Sequence, residues 1–494
     1  MNDRRSHQLE WIGVGAVTAL AAALRLYQLG QESFWLDEVN GLRLCLENSK
    51  AFWTGLGAHH APPLHFLILR FLSTWTLSEF WLRLPSAIFA VLSIPVAYRF
   101  LRNFFPAVSA GAAVLFLALS PAHLTYSQEA RPYALYLLLC LLSMDFFHRS
   151  VLGKEQSRGR LAIYCLASAL ALYTHYIAFF VLGTQAVLYF GYKKIRKDEK
   201  GLPVRPGLLC AGGIFALYLP WLPFLLQRLF GGYSIEHLQR FALRPGDLAT
   251  FAWWRRLAED FSAGHGYSVY LFLAAAVVGI VHLWRQEQRS APLAVLWFAV
   301  PTAAILIFDL FTRAYFAYRV LLFLLPLYLG LVAHGIGALA RLIAREKPAL
   351  RWSLFALGGL VLIRFLGLEL IHFYSTTDKP PWREIAACVT TSAQSDQSGE
   401  NVPGRVFACG DNVSCLEFYL DRDGSTLQFE RAGSDRENLA LTDRDALVLS
   451  GKEIENTPIE RWAERELPRW AEFESRRIVP IRVYRRKLPS NRQG

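Results

Sequence analysis

Charged residues are scarce in this sequence, because Asp, Glu, Lys and Arg make up only 19% of its 494 residues. Hydrophobic residues make up 53%, and the mean hydropathy is +0.26. This composition excludes a soluble enzyme of this size and is typical of a polytopic membrane protein. The net charge of +12 does not indicate nucleic-acid binding, since Lys and Arg are grouped in short segments between apolar runs.

Long apolar runs are absent from residues 375–494, which are charged and interrupted by Gly and Pro. Helix-like and strand-like segments alternate in this tail, which predicts a small α/β domain. The tail has no phosphate-binding glycine fingerprint, so we expect a lid or an acceptor platform there and not the catalytic centre. The predicted domains are therefore a membrane domain, residues 1–371, and a soluble domain, residues 372–494. The segments of the tail are 382–389, 405–409, 414–420, 427–430, 447–450, 459–467 and 478–484.

The apolar runs predict about eleven transmembrane helices when the short basic loops are assigned to the cytoplasm. The first run has no small-residue cleavage site at its end, so we interpret it as a retained helix and not as a signal peptide. Arg4 and Arg5 then place the N-terminus in the cytoplasm and the soluble tail outside, in a multi-pass protein of the plasma or inner membrane. The runs are 11–29, 80–101, 107–122, 133–147, 161–173, 177–190, 208–226, 269–283, 293–311, 320–339 and 354–370.

Two loops stand out on the predicted outer side. The first, residues 30–79, contains an apolar stretch at 63–75 that reaches only some 20 Å of a roughly 30 Å bilayer core, which predicts an interfacial helix. The second, residues 231–266, is basic, although basic residues usually concentrate in cytoplasmic loops. Its arginines are expected to recruit an anionic lipid head or to be attracted to acidic lipids in general. They are Arg240, Arg244, Arg255 and Arg256.

The same topology brings four polar clusters to the outer face. Asp37 and Glu38 follow the first helix, and the aromatics before them, Phe34 and Trp35, are expected at headgroup depth. The pair is either a solvated helix cap or part of a chemical site. The other clusters are His59 and His60 before Pro62 and Pro63, the segment Ser127–Tyr133, and Arg313 with Tyr315, Tyr318 and Arg319.

Two of these clusters allow more than one interpretation. Glu129 and Arg131 lie within one turn at the top of a helix, so they form a structural salt bridge or bind a ligand. His59 and His60 are either interfacial residues or ligands of a metal or a phosphate. A lone His175 at a helix end is either a hydrogen-bonded interfacial residue or a substrate contact.

Several motifs, taken together and in order, resemble bacterial GT-C glycosyltransferases, and within them the family 39 group related to protein O-mannosyltransferases and the lipid A aminoarabinose transferase. The resemblance covers the membrane domain and extends weakly to residues 381–384 of the tail. The motifs are Trp-Leu-Asp-Glu at 35–38, His-Ala-Pro-Pro-Leu at 60–64, Arg-Leu-Pro-Ser at 83–86, Ser-Gln-Glu-Ala-Arg-Pro-Tyr at 127–133 and Tyr-Thr-His-Tyr at 173–176.

The resemblance implies an integral-membrane enzyme that transfers a sugar from a polyprenyl-phosphate donor to an extracytoplasmic lipid, glycan or protein. It implies inverting attack by an acceptor hydroxyl that Asp37 assists, with Glu129 as a second catalytic acid. Glu38, Tyr133 and His175 are further substrate-binding candidates. Cations are expected at the departing phosphate, and Arg131, Arg319 and His60 are the candidates.

The sequence allows three further alternatives. A divalent cation is one option, with Asp37, Glu129 and His60 as the candidate ligands. The alternative function is a transporter or flippase of lipid-linked sugars, although the acids gather at one boundary and not at the bilayer midplane. In the tail, Cys409 and Cys415 are six residues apart, so a disulfide is one option.

Overall fold

The computed structural model describes residues 2–58, 61–195, 201–230, 252–262, 264, 266–286, 290–312, 318–376, 379–394, 404–410, 413–436, 439, 441, 445–450, 457–467, 469–473 and 481–485. The chain divides into two compact units. The first contains residues 1–27, 48–68 and 83–371, and the second contains residues 28–47, 69–82 and 372–494. The predicted first outer loop is therefore shared between the units.

The N-terminal three quarters of the chain is helical. Its helices are α1 (Asn2–Leu26), α2 (Leu36–Leu46), α3 (Ser49–Ala58), α4 (Pro63–Ser73), α5 (Glu79–Leu101), α6 (Ala107–Leu119), α7 (Pro121–Ser127), α8 (Tyr133–Phe146), α9 (Arg158–Leu172), α10 (Ala178–Ile195), α11 (Val204–Tyr218), α12 (Leu222–Phe230), α13 (Ala252–Phe261), α14 (Tyr267–Gln286), α15 (Ser290–Thr312), α16 (Leu325–Ala344) and α17 (Pro348–Ser375). A π-turn at Phe147–Leu152 extends α8, and 3₁₀ turns at Leu219–Trp221 and Tyr318–Leu324 precede α12 and α16.

Eight helical segments among the described residues are long and apolar enough to cross a membrane, or nine if α6 and α7 count as one bent span. The predicted count of eleven is therefore not confirmed. The difference lies in α9, which has 15 residues, and in the short apolar segment Ala178–Gly191 of α10. A straight span needs about 20 residues. The short helix expected near residues 63–75 is present as α4.

A buried arginine stabilises the 55° bend between α6 and α7. Pro121 has no N–H to continue the helix, so carbonyls at the end of α6 lose their helical partners. The guanidinium of Arg25 donates to the carbonyl of Ala118 at 2.9 Å and lies 2.5 Å from Nδ1 of His123. Nε2 of His123 in turn lies 3.1 Å from the hydroxyl of Ser93. These buried polar groups fix the direction in which α7 leads towards residues 127–133.

Helices α14 and α16 touch backbone to backbone. A Cβ atom on Gly335 would lie 1.8 Å from the carbonyl oxygen of Ala275, and one on Gly279 would lie 2.1 Å from the carbonyl oxygen of Leu331. No side chain fits at either position, because the helices are in van der Waals contact through their backbones. Small residues permit such close approach between helices in membranes.

The second unit contains a five-stranded sheet in the order β2-β1-β3-β5-β4. β1 pairs in parallel with β2 and β3, whereas β5 pairs antiparallel with β3 and β4. All five residues of β3 are buried, as expected for a central strand covered on both faces. The elements are α18 (Trp382–Gln394), β1 (Arg405–Gly410), α19 (Ser414–Arg422), β2 (Gln428–Arg431), β3 (Ala446–Ser450), α20 (Pro458–Glu466), β4 (Arg469–Phe473) and β5 (Ile481–Arg485).

The observed mixed sheet confirms that the tail contains a small α/β domain. The sequence pattern predicts every element of it except β4. Cys409 and Cys415 are both buried free thiols, so the structure does not contain the disulfide that the sequence left open.

Candidate active site

The segment from Ser127 to Tyr133 connects α7 to α8 in the first unit. The side-chain amide of Gln128 donates to the carbonyls of Arg25 and Tyr27, at 3.1 and 2.9 Å. It therefore anchors the start of this connection to the end of α1. Pro132 precedes the first residue of α8, where a missing N–H leaves no helical hydrogen bond unmade.

Two further hydrogen bonds hold the backbone of this connection. Nε2 of His65 donates to the carbonyl of Ala130 at 3.1 Å, and the hydroxyl of Ser86 donates to the carbonyl of Arg131 at 3.3 Å. Burial lowers the pKa of His65 to about 3, and the charge of Arg131 also lowers it, while the bond to Ala130 acts in the opposite direction. His65 is therefore a neutral donor that positions the loop. The sequence pattern indicated His59 and His60 in the same stretch and not His65.

The arginines predicted to bind phosphate lie beside a single aromatic ring. The guanidinium carbon of Arg131 is 5.8 Å from the ring centroid of Tyr133, and that of Arg319 is 5.3 Å from the same centroid. A cation–π contact stabilises each guanidinium, but the two positive charges repel each other. We call Arg131, Tyr133 and Arg319 the arginine cluster.

The second candidate acid belongs to the same region. Glu129 is 1% exposed, and its charge acts on the phenol of Tyr126, as do those of Asp260 and Arg319. The rings of Tyr126 and Tyr133 lie 5.3 Å apart. The structure thus brings Glu129 into the surroundings of the arginine cluster.

His175 also joins this group. Its Nδ1 accepts the backbone N–H of Ile177 at 3.2 Å, so in the neutral ring the proton is on Nε2. The His175 ring lies 6.0 Å from that of Tyr133 and 5.3 Å from that of Tyr136. His175 is therefore packed against Tyr133, the ring that both arginines contact.

Asp37 and Glu38 lie in the first turn of α2, in the second unit. Asp37 is partly exposed. Glu38 is fully buried, and its Oε2 accepts the backbone N–H of Trp35 at 3.3 Å and lies 3.4 Å from Nζ of Lys379. The two neighbouring acids therefore differ in environment, because Glu38 points into the unit and caps the helix whose first turn carries Asp37.

The aromatic residue before α2 is packed inside the second unit. Phe34 is fully buried, and its ring lies 6.1 Å from that of Phe418 and 6.4 Å from that of Tyr419. This differs from the headgroup position expected from the sequence, because neighbouring aromatics of α19 cover the ring. The Tyr419 hydroxyl accepts the Phe34 N–H at 2.6 Å and donates to Oε1 of Glu79 at 2.8 Å.

Glu79 is an acid that the sequence analysis missed. Its Oε1 also lies 3.1 Å from Arg422 and 3.5 Å from Arg383. Arg383 belongs to the Trp-Arg-Glu stretch that opens α18, and its backbone N–H donates to the hydroxyl of Ser33 at 3.1 Å. The resemblance at residues 381–384 thus corresponds to hydrogen bonds that attach the start of α18 to Gly30, Gln31 and Ser33, just before α2.

Some predicted residues lie outside the described part of the chain, namely His59, His60, Arg240, Arg244, Arg313 and Tyr315. Arg255 and Arg256 are exposed on α13. Within the described residues, no group of three or more His, Cys, Asp and Glu side chains could hold a metal ion. This finding does not test the predicted metal ligands Asp37, Glu129 and His60, because His60 lies outside the described residues.

Comparison with known proteins agrees with this architecture. Residues 59–224 match the family model described as dolichyl-phosphate-mannose-protein mannosyltransferase. A comparison with curated protein sequences found no match.

Two solved structures of ArnT from Cupriavidus metallidurans resemble the whole chain. The apo structure matches with a TM-score of 0.57 and 14% identity, over 97% of this chain and 98% of ArnT. The structure bound to undecaprenyl phosphate matches with a TM-score of 0.54 and 13% identity, over 96% and 98% of the two chains. At this identity the likeness shows the fold, and it confirms the predicted GT-C architecture with its C-terminal sheet domain.

Proposed function

We propose that this chain, a membrane glycosyltransferase of the GT-C type, transfers a sugar from a polyprenyl-phosphate donor to a hydroxyl group of an extracytoplasmic lipid, glycan or protein. The matched family is named for dolichyl phosphate mannose, and one ArnT structure contains undecaprenyl phosphate. Both support a lipid-phosphate-linked sugar as the donor.

The observation that carries the proposal is the arginine cluster. Arg131 and Arg319 come from segments far apart in sequence and lie beside the same Tyr133 ring. Two guanidinium groups provide several N–H donors, and arginine binds phosphate oxygens in a bidentate manner. We assign the donor phosphate to this cluster, where the charge that develops on the departing lipid phosphate would be stabilised.

Transfer needs a group that accepts the proton of the acceptor hydroxyl. In the proposed reaction the acceptor oxygen bonds to the anomeric carbon from the face opposite the phosphate, and the bond between that carbon and the phosphate oxygen breaks. The electron pair of the broken bond stays on the lipid phosphate, and the proton of the hydroxyl passes to the Asp37 carboxylate. The partial exposure of Asp37 supports this role, because a buried carboxylate could not receive an acceptor.

The remaining predicted residues receive roles that agree with their surroundings. Glu129 is proposed as the second acid, beside the arginine cluster, and Tyr133 and His175 as contacts of the donor. Glu38 is proposed to position α2 and not to contact substrate. His60 stays a candidate for the phosphate or for a divalent cation, together with Asp37 and Glu129.

The proposal also assigns sides of the membrane. The basic loops support a cytoplasmic N-terminus and an extracytoplasmic domain of residues 372–494, with the catalytic machinery of the membrane domain facing outwards. We also propose that the protein resides in the plasma or inner membrane.

The experiment uses the lipid-linked sugar that accumulates when the gene is deleted. Lipids are extracted from the deletion strain, the accumulated polyprenyl-phosphate sugar is identified by mass spectrometry, and the extract is incubated with the purified protein and envelope material from the same strain. We expect the lipid-linked sugar to decrease, free lipid phosphate to increase and the sugar to appear on the acceptor.

The decisive variant is Asp37→Asn, which keeps the shape of the side chain and removes its charge. Loss of a general base reduces the rate by roughly two to four orders of magnitude. Asp421→Asn, at an exposed position of the same unit, is the matched control and should transfer at the wild-type rate. An Asp37→Asn protein with unchanged thermal stability and full activity would refute the mechanism and favour a transporter or flippase of lipid-linked sugars.

A further inference from the structure

Two histidines lie between the closely packed helices α14 and α16. His282 follows Gly279 by three residues, and His334 directly precedes Gly335, so the backbone contact at these glycines brings the imidazoles together. Their ring centroids are 5.3 Å apart. His334 is 3% exposed, and within the described residues neither of its ring nitrogens has a hydrogen-bond partner, nor does Nε2 of His282.

A partly buried arginine completes this group. Arg341 is seven residues after His334, hence on the same face of α16, and its charge acts on both histidines. Its Nε is buried and has no partner in the part of the chain that the structure describes. The other charged groups that act on these three side chains are Arg285 and Arg351, which are also cationic. The side chain of Gln286 hydrogen-bonds the His282 ring, but none of the charged groups that act on these three side chains is an acid of the described residues. The cluster therefore presents N–H donors and a positive charge that the described residues do not neutralise.

We propose that His282, His334 and Arg341 form a binding site for the phosphate group of an anionic membrane lipid. Buried donors without acceptors are costly, and a phosphate accepts several hydrogen bonds at once. A metal cation is disfavoured there because Arg341 would repel it. Basic pockets between transmembrane helices bind anionic lipid head groups in this way.

A lipid fits this place better than a free anion. The side chains beside the cluster are apolar and strongly exposed, with Trp284 at 54%, Leu342 at 75% and Ile343 at 56%. Acyl chains can cover these side chains while the phosphate reaches the cluster. The site uses α14 and α16 and none of the residues assigned to the transfer reaction, so it is independent of the proposed function.

The test measures lipid binding to the full-length purified protein. The protein is stripped of lipid in a neutral detergent and titrated with phosphatidylglycerol, with phosphatidylcholine as the zwitterionic reference, and binding is followed by native mass spectrometry and thermal stabilisation. We expect phosphatidylglycerol to bind more tightly, and Arg341→Gln to lose about tenfold in affinity, the effect of one charge-assisted hydrogen bond. Arg345→Gln, at an exposed arginine just beyond α16, should bind as the wild type does.

A second variant separates ligand binding from packing. His334→Leu removes both ring nitrogens and keeps the position apolar, so a purely structural histidine would change only the melting temperature and leave the response to phosphatidylglycerol intact. That result would overturn the proposal, as would inorganic phosphate stabilising the protein as strongly as the lipid does. Glu287 lies outside the described residues. A large gain of lipid affinity in Glu287→Gln would also overturn the proposal, because this acid of the chain, and not a lipid, would then be the native partner of Arg341.

Discussion

The ammonium group of Lys379 lies 3.4 Å from Oε2 of Glu38, and the two side chains are 5% and 0% exposed. The same carboxylate oxygen accepts the N–H of Trp35, the residue before α2. Glu38 therefore connects the start of α2 to the segment that leads into α18. The direction of the first turn of α2, and with it the position of Asp37, depends on this buried ion pair.

Removing one partner of the pair should destabilise the second unit. Glu38→Gln removes the carboxylate from the buried pair with Lys379, and breaking a buried ion pair costs about 3–5 kcal/mol. Glu417→Gln weakens the partly exposed contacts of Glu417 with Arg43 and Arg431, each worth about 0–1 kcal/mol, and serves as the control. Thermal unfolding of both variants in detergent measures the difference. Equal melting temperatures would mean that the buried pair contributes nothing to stability.

The arginine cluster should determine affinity for the donor. Arg319→Ala is expected to raise the KM for the lipid-linked sugar more than Arg319→Lys does, because a phosphate requires charge first and the planar fork of arginine second. Loss of a hydrogen bond to a charged group corresponds to roughly a tenfold or greater change. The measurement is a donor titration at saturating acceptor. If alanine leaves the KM unchanged, Arg319 has only a structural role.

The stability of the first unit should fall below neutral pH through His65. Its pKa is about 3 in the folded protein, below the ordinary value of about 6.5, so the unfolded chain binds the proton more tightly. The contribution of this histidine is complete above pH 6.5 and is lost as the pH falls from 6.5 towards 3. At pH 5 the loss is about 2 kcal/mol. His65→Gln keeps a donor for the Ala130 carbonyl and does not titrate, so its melting temperature should change less between pH 7 and pH 5. Parallel pH profiles for the two proteins would contradict this assignment.

The topology can be tested with single cysteines in a background without the native ones. A cysteine at Thr54 or Ser392 should react with an impermeant maleimide added to intact cells, since both positions are predicted to be outside. A cysteine at Gln156, in a basic loop predicted to be inside, should react only after the cells are opened. Labelling of Gln156→Cys in intact cells, or protection of the cysteines at Thr54 and Ser392, would mean that the predicted orientation is wrong.

The sequence by itself determined the helices and strands that depend only on the pattern of their own residues. Apolar runs with basic ends specify the long helices, because in a bilayer each backbone group must be bonded within its own helix. The tail segments likewise follow from their own hydrophobic patterns. The short span-like helices α9 and α10 were harder to classify, since their length is close to the limit for crossing. Strand β4 was missed because Arg469–Phe473 is not an apolar run and becomes a strand by pairing with β5.

Only the tertiary structure decided which polar residues meet. Glu38 and Lys379 are 341 residues apart in sequence, and the two arginines beside Tyr133 come from segments nearly 190 positions apart. The sequence predicted catalysis for Asp37 and substrate binding for Glu38. The structure shows that Glu38 is buried and Asp37 partly exposed, because successive residues of a helix point in different directions. His65, Glu79 and the pair His282 and His334 have no local signal, since each acquires its role from backbone carbonyls, charges or helix contacts that chain folding brings to it.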